Sequence, residues 1–574
     1  MKLNKLISFA ALLPISVATS GCADRVSPKH QRKFFDEEEK ITLREVTHLG
    51  EGMCNPAPTT GNTRVLVIPI EFTDYPADEI GKYYNAETAG SVAVKHTADA
   101  ATHGRGAEEA ITDIEHTYFG NPEDTTWHSL ASYYRSASYG KLNFNGVVVP
   151  WWTKAYVNSE TLTPVTTVEF ADGGGTARGL CNQIVDDIAE NKYFMFHGED
   201  GNAFTSKREF LQYFDSDHDG YIDLVEMVYS APFQCDKGTS SLTQEQFNDI
   251  FWAYCGVTSN KENPTNPKLG KWAWQSYYTM VEGGKQVGND WRLWTCQEIA
   301  DGDAKVDAHT IIHETGHGLG LPDYYNTDGR QDGVTSGCVD MMAYNVGDHN
   351  SHSKSLLGWV NPTVVTGPTE VELKSFTKTG DCIYLPYRGY YDDGNEIDKK
   401  YKNTFSTEYI AIELMTPTGV NELDSTHSYM NSYPQVPTIP GIKIYHVDSR
   451  IAIKDYSVYP YKFVSYTTSI VNVSGTNFVT YAHTNSPSTT VKKSDGSGYC
   501  FQLQYLYKNI GAGCITNDSL YQQGDVVFSG DLYGDFVMNS GKKLGYKVTI
   551  KSLSYDPNNL EDATAVIRIE AKKK

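Results

Sequence analysis

The sequence is short of positive charge. Its 49 lysines and arginines stand against 71 aspartates and glutamates, a net charge of -22. Such a surface repels phosphate backbones, which argues against nucleic acid as a partner. Long apolar runs are also scarce. Past the first 22 residues no stretch is long enough to cross a bilayer. There is no glycine-rich phosphate loop, no flavin or nicotinamide fingerprint and no Ser-His-Asp signature, so no sequence pattern points to the common nucleotide-dependent or serine-dependent chemistries. No internal repeat is present, which excludes a solenoid or array.

What is present begins with an export signal. Lys2 and Lys5 precede the apolar stretch LISFAALLPISVATS, which ends at Gly21-Cys22. A basic start, a short apolar core and small residues make the plan of a secretory signal peptide. Thr19-Ser20-Gly21-Cys22 is similar to a bacterial lipobox, so residues 1–21 are expected to be removed and Cys22 to carry lipid. The expected location is the cell envelope or surface, with the membrane reached only through that anchor and with release possible. Nine further cysteines remain, an odd number, so disulfides are permitted but at least one thiol is left over.

Residues 22–61 read as a linker or short pro-segment, with KHQRKFF, DEEEK and NPAPTTG in succession. The folded part starts at TRVLVIPIEFTD, residues 63–74, an apolar and β-branched run that predicts a buried strand. Residues 127–150 predict a short helix, a glycine turn and a strand; 181–191 a helix; 223–231 another strand. Alternation of this kind predicts an α/β (α+β) domain over 62–365 with a mixed, mostly parallel sheet. From residue 366 to 574 period-two runs take over, such as Leu544, Tyr546, Val548 and Ile550, or Ala565, Ile567 and Ile569. They predict an all-β, sandwich-like region of one or two modules, and the 39 tyrosines agree with a strand-rich chain.

Residues 311–326, IIHETGHGLGLPDYYN, hold the densest chemistry. His313 and His317 are i and i+4 on a predicted helix that Asp307 can cap, so both imidazoles leave one face and suit one tetrahedral zinc ion. Glu314 lies beside them as a general base. The helix cannot supply a third ligand from behind the ion. Gly320 permits the turn back, Pro322 stiffens the return and Asp323 arrives as the third ligand. His309 stands in line with the other two and is read as surface or supporting rather than ligating.

A second constellation is DSDHDGYIDLVE, residues 215–226. Asp215, Asp217, Asp219, Tyr221 (through its carbonyl), Asp223 and Glu226 occupy the ligand positions of a calcium loop of about twelve residues, with Gly220 at the sharp turn. Five carboxylates so close repel unless a cation joins them; the alternative is a solvated acidic turn. The β-like sequence that follows predicts a loop entering a strand rather than an EF-hand. Three more groups are weighed. Cys54 is either a disulfide partner, a surface thiol or a latency thiol reaching the metal. His349 and His352 read as helix-start or surface residues, and His446 with Asp448 as a pair satisfied by each other or the backbone.

HETGHGLGLPD resembles the extended zinc motif of metzincin peptidases in the variant ending in aspartate, and CVDMMAYN, residues 338–345, looks like their Met-turn. VLVIPIEFTD, YYRSASYGKLNFNG, KSLLGW and PGIKIYHVD are similar to segments of the immune inhibitor A group of bacterial metallopeptidases, from about residue 60 to the C-terminus. The turn departs from the pattern at Asp340-Met341, where a small polar and an aliphatic residue are more usual. The resemblance implies a metzincin-like catalytic domain, Met342 beneath the zinc, Tyr344 near the scissile bond and a structural calcium. It implies an exported endopeptidase acting on protein or peptide substrates; the substrate is expected to lie along an edge strand, and a monomer is expected. The alternative is a surface adhesin or glycan- or protein-binding lipoprotein whose metal site is structural; an intact Glu314 speaks against it.

Overall fold

The computed structural model describes residues 57–84, 94–95, 106–120, 129–155, 163–198, 201–232, 235–258, 260–280, 285–287, 290–292, 308–325, 337, 339–390, 408–426, 436–449, 451–455, 462–466, 477–481, 500–508 and 515–572. The fold is mixed α/β, as expected, and divides into two compact units: Asn55–Ser136 with Gly140–Leu319, and Ala137–Tyr139 with Gly320–Lys574. The division falls between Leu319 and Gly320, just past the HExxH residues His313–His317, whereas the sequence places its boundary at residue 365.

The first unit is built on a five-stranded sheet. Its strands are β1 (Gly61–Ile70), β2 (Leu142–Val148), β3 (Leu224–Tyr229), β4 (Tyr254–Val257) and β5 (Lys271–Ser276), in the order β2-β1-β3-β5-β4. Three pairings are parallel and only β4 runs antiparallel, at an edge. This is the mixed, mostly parallel sheet that the sequence predicts. β1 and β3 lie centrally, which is why their residues are apolar without alternation: Val65 to Ile68 and Leu224 to Tyr229 are all buried. Helices α1 (Ala107–Phe119), α2 (Leu130–Ala137), α3 (Ala177–Asn191) and α4 (His309–Gly318) accompany the sheet. The expected helix, turn and strand of 127–150 are α2, the left-handed pair Tyr139 and Gly140 (φ +58° and +75°) and β2. On one side of the sheet, Leu180, Ile184 and Ile188 of α3 close over Val225, Met227 and Trp274 in a single apolar cluster.

The second unit contains α5 (Met341–Tyr344), α6 (Ser351–Leu356) and, among the described residues, three sheets, one of them a small antiparallel sheet of Ile451–Asp455, Lys462–Tyr466 and Asn477–Tyr481; the other two hold the core. One joins β6 (Thr363–Val364), β8 (Cys382–Pro386), β9 (Glu408–Met415), β10 (Gly441–Asp448) and β11 (Leu503–Tyr505) in the order β6-β8-β9-β10-β11. The other joins β7 (Thr369–Lys374), β12 (Val526–Val527), β13 (Tyr546–Asp556) and β14 (Asn559–Ala571) in the order β7-β14-β13-β12. The period-two readings hold: Tyr546, Val548, Ile550, Ala565, Ile567 and Ile569 are buried and share one cluster with Ile383, Ile410, Ile412 and Ile444 of the first sheet. The description of residues 366–574 as all-β needs correcting, because short helices at Phe376–Thr379 and Glu422–Thr426 follow β7 and β9. Each is a turn or so of helix, too short to leave a periodic apolar stripe in the sequence.

Among the described residues no helix is long and apolar enough to cross a membrane. The buried Cys181, Cys235 and Cys382, and the partly buried Cys255, are thiols outside any disulfide. Cys22 and Cys54 lie outside the described residues.

Candidate metal centre

α4 carries the two histidines. It begins one residue later than expected, with Ala308 at the N-cap position, and the proposed cap Asp307 lies outside the described residues. All residues of α4 but His317 are buried. Tyr134 donates a hydrogen bond of 2.6 Å to the Ile312 carbonyl, and the Ala57 amide donates one of 3.0 Å to the Gly318 carbonyl. The helix also packs against β4 and β5. Past Leu319 the chain reverses at Gly320, whose φ of +99° is the left-handed backbone that a glycine supplies at least cost.

The reversal brings Asp323 back toward the helix it has just left. One ligand atom from each of His313, His317 and Asp323 lies within 4.8 Å of the other two. The imidazole rings stand 4.8 Å apart at 87°. His313 and Glu314 are buried, while His317 and Asp323 are partly exposed. Two imidazoles and a carboxylate on a half-open site form the donor set that a three-ligand zinc centre with one free position uses, so the residues fit the ion. His309 is not part of the cluster and is buried at the start of α4, so of the two readings, surface or supporting, burial removes the first.

The return limb is fixed by its next residue. The Tyr324 amide donates to the Met342 carbonyl at 2.8 Å, and the buried Tyr324 hydroxyl bonds Ser353 Oγ at 2.9 Å. Asp340 caps α5 by accepting from the Met342 amide at 2.9 Å and also accepts from Asn350 at 2.6 Å; burial pushes its carboxyl up to about 6. Met341 and Met342 are both buried, so Met342 is distinguished by its backbone bond rather than by burial. Tyr344 is partly exposed, and burial raises its hydroxyl above the usual tyrosine range.

The acidic loop separates into two groups. Asp215, Asp217 and Asp223 bring carboxylate oxygens within 4.8 Å of one another. Asp215 and Asp223 are 1% and 4% exposed, so this is not a solvated turn. Asp215 accepts from the Asp219 and Gly220 amides, and Asp223 from the Arg64 and Ser216 amides and the Ser216 hydroxyl. Burial nevertheless raises both carboxyls, Asp223 to about 7, which a bound cation would reverse. Asp219 is not in the cluster: its Oδ1 accepts from the Tyr221 amide at 2.9 Å. Tyr221 opens a short strand, Tyr221–Ile222, and its hydroxyl donates to the Asn260 carbonyl. The helix Lys207–Tyr213 precedes the loop and a strand follows it, as expected of a loop that is not an EF-hand.

Glu226 is the clear correction. The strand starts at Leu224, so Glu226 lies within β3, fully buried, accepting from Thr315 Oγ1 at 3.0 Å and from the Tyr118 hydroxyl at 3.2 Å. It faces the metal helix instead of the acidic loop. The signal was in the sequence: a lone carboxylate within the apolar run LVEMVY.

Two histidine readings also change. His349 and His352 are fully buried rather than at the surface. His352 lies in α6, as a helix-start residue should, between the Tyr409 hydroxyl (2.8 Å) and Gln502 Nε2 (3.1 Å); burial pushes its pKa down to about 3. His446 and Asp448 do not pair with each other. His446 Nε2 meets Glu408 Oε1 at 2.7 Å, and Asp448 accepts from Asn539 at 2.9 Å. No family model matches the chain, and no curated protein matches it.

Proposed function

We propose that the chain is an exported zinc-dependent endopeptidase, metzincin-like in its catalytic fold and related in plan to the immune inhibitor A group. The observation that carries this reading is the convergence of His313, His317 and Asp323 beside a buried Glu314. A structural zinc site needs no base and fills its fourth position with protein; among the described residues three donors gather here, with a carboxylate base beside them.

When bound, zinc would act as a Lewis acid toward a peptide carbonyl and toward water at that fourth position. Glu314 follows His313 directly and takes the proton from the attacking water, then delivers it to the leaving amine. The Tyr344 hydroxyl donates to the carbonyl oxygen as charge develops there. Its raised pKa keeps it a donor through the neutral range. β4 offers the place for an extended substrate. Among the described residues it is an edge strand, paired with β5, and α4 packs against it; backbone pairing along such an edge holds a peptide without demanding a sequence.

Calcium bound by Asp215, Asp217 and Asp223 would be structural. It would neutralise buried carboxylates at the entry to β3. Residues 366–574 would be a sandwich-like region, supported by the single apolar cluster that joins two of its sheets. The lipobox-like Cys22 would anchor a monomer to the envelope. The test of the reading is digestion of a protein mixture by the purified mature chain, with and without a chelator, and sequencing of the new termini. Chelator-sensitive cleavage supports it; an inert protein in the presence of zinc removes it.

A further inference from the structure

Glu226 is a costly residue to place in a central strand. A buried carboxyl loses several kcal/mol of hydration unless hydrogen bonds replace it, and every other residue from Leu224 to Tyr229 is apolar. Alternation puts Leu224 and Glu226 on the same face of β3. Opposite them, Thr315 and Gly318 lie one turn apart on α4, and both contacts are made. Leu224 Cδ1 sits 3.0 Å from where a Cβ on Gly318 would stand, so the glycine lets the helix approach the strand. Thr315 Oγ1 donates to Glu226 Oε1 at 3.0 Å. The second oxygen, Oε2, accepts from Tyr118 of α1, whose own hydroxyl accepts from Gln275 Nε2 of β5 at 2.7 Å. Glu226 is thus braced from a helix and a neighbouring strand before it meets the metal helix.

The position of Thr315 gives this brace its consequence. Thr315 is two residues from His313 and two from His317, roughly 200° of helical rotation each way. The imidazoles therefore leave the side of α4 opposite the brace. Apolar packing over Gly318 resists separation of helix and strand but leaves rotation and sliding of the helix comparatively free, whereas a hydrogen bond to a braced carboxyl resists both. We propose that Glu226 is a positioning residue for the metal centre: through Thr315 it fixes the rotation of α4 and so the aim of His313 and His317. The inference rests on the zinc reading above. It assigns Glu226 to the metal helix and removes it from the calcium loop. Burial raises the Glu226 carboxyl to about 8, so a neutral amide is its natural mimic.

The test uses the full mature chain and two readouts that do not need turnover: zinc affinity by competition with a chromophoric chelator, and the visible spectrum of the cobalt(II)-substituted protein. Glu226→Leu removes the acceptor at similar volume, and Thr315→Val removes the donor with the same shape. Each is expected to weaken zinc binding by about 10- to 100-fold, the usual effect of losing a partner that orients a ligand, and to alter the cobalt bands in the same way. The double variant is expected to be no worse than either single one, because one contact is lost in all three. Glu226→Gln, which keeps an acceptor for Thr315, is expected to restore parent-like affinity and spectrum. Melting with chelator present separates aiming from simple support: Glu226→Leu leaves the Thr315 and Tyr118 hydroxyls without their acceptor and should melt somewhat lower than the parent, yet its zinc affinity, measured well below that transition on fully folded protein, should still fall. Parent-like zinc affinity and superimposable cobalt spectra in Glu226→Leu and Thr315→Val overturn the inference and leave the zinc reading intact. A parent chain that binds neither zinc nor cobalt, or whose cobalt spectrum is unchanged by His313→Ala, overturns both.

Discussion

The imidazoles of His313 and His317 stand 4.8 Å apart and almost perpendicular, one turn apart on a helix of ten residues. Two such rings hold an ion only if a third group reaches it from beyond the helix. Gly320 turns the chain and Asp323 arrives within 4.8 Å. Asp323→Ala should therefore lower the zinc retained after dialysis, whereas His309→Ala, outside the cluster, should retain as much as the parent. Metal analysis of the two dialysed variants checks this. Equal zinc in Asp323→Ala and the parent would mean that another residue completes the site.

The acidic loop gives a second expectation. If calcium joins Asp215, Asp217 and Asp223, it binds only the folded chain, and stability grows with free calcium as RT ln(1 + [L]/Kd). A calcium-selective chelator should lower the melting temperature and open a proteolytic cut near Gly220. Asp217→Ala should melt at the same temperature with and without calcium. Glu226→Gln should keep the parent's calcium dependence, since Glu226 faces Thr315 instead. A parent that melts alike in millimolar calcium and in chelator would leave the loop as a self-bonded acidic turn.

Glu226 also sets a pH dependence. Its carboxyl is raised from 4.5 to about 8 by burial. Below the unfolded value both states hold the proton. Between about 4.5 and about 8 the unfolded chain has released it and the folded chain has not, so this group's contribution to stability falls as pH rises. Glu226→Gln carries no such proton. In metal-free protein, its stability relative to the parent should climb steadily from pH 5 to pH 8 in denaturant titrations. A constant difference across that range would show that the Glu226 carboxyl is already ionised in the folded chain.

Sequence and structure agree where the signal is local. The apolar, β-branched run in Gly61–Ile70 is a central strand, and the HExxH spacing with its glycine turn goes with the gathering of His313, His317 and Asp323. They part where a residue satisfies two templates or depends on distant partners. Glu226 fits both the last position of a calcium loop and the third position of a strand; only the start of β3 at Leu224 decides between them. The run HNSHSK reads as surface because it is polar, yet Ser351 to Leu356 are all buried. Their partners lie far along the chain: the Ser351 amide donates to Glu413 and Tyr445, and Tyr384 donates to the Ser351 carbonyl. Lys354, fully buried, pairs with Asp348 at 2.7 Å and sits over the rings of Tyr139 and Phe376. No local pattern announces a polar helix satisfied by strands and loops outside it.

Anchoring is tested at the N-terminus. Cys22→Ser should move the protein from the membrane fraction to the soluble one, because acyl chains on Cys22 would be its hold on the bilayer. Mass spectrometry of the mature N-terminus should find lipid on Cys22 in the parent. An unmodified cysteine there would remove the lipoprotein reading.

The central claim is hydrolysis at a zinc centre with Glu314 as base, and one variant isolates it. Glu314→Gln keeps the shape of the side chain and leaves His313, His317 and Asp323 in place. Zinc content and cleavage of a peptide substrate should be measured on the same preparation. Zinc should stay at the parent level while hydrolysis falls by about 100-fold or more, the scale of a lost general base. Near-parent cleavage by zinc-loaded Glu314→Gln would contradict the claim.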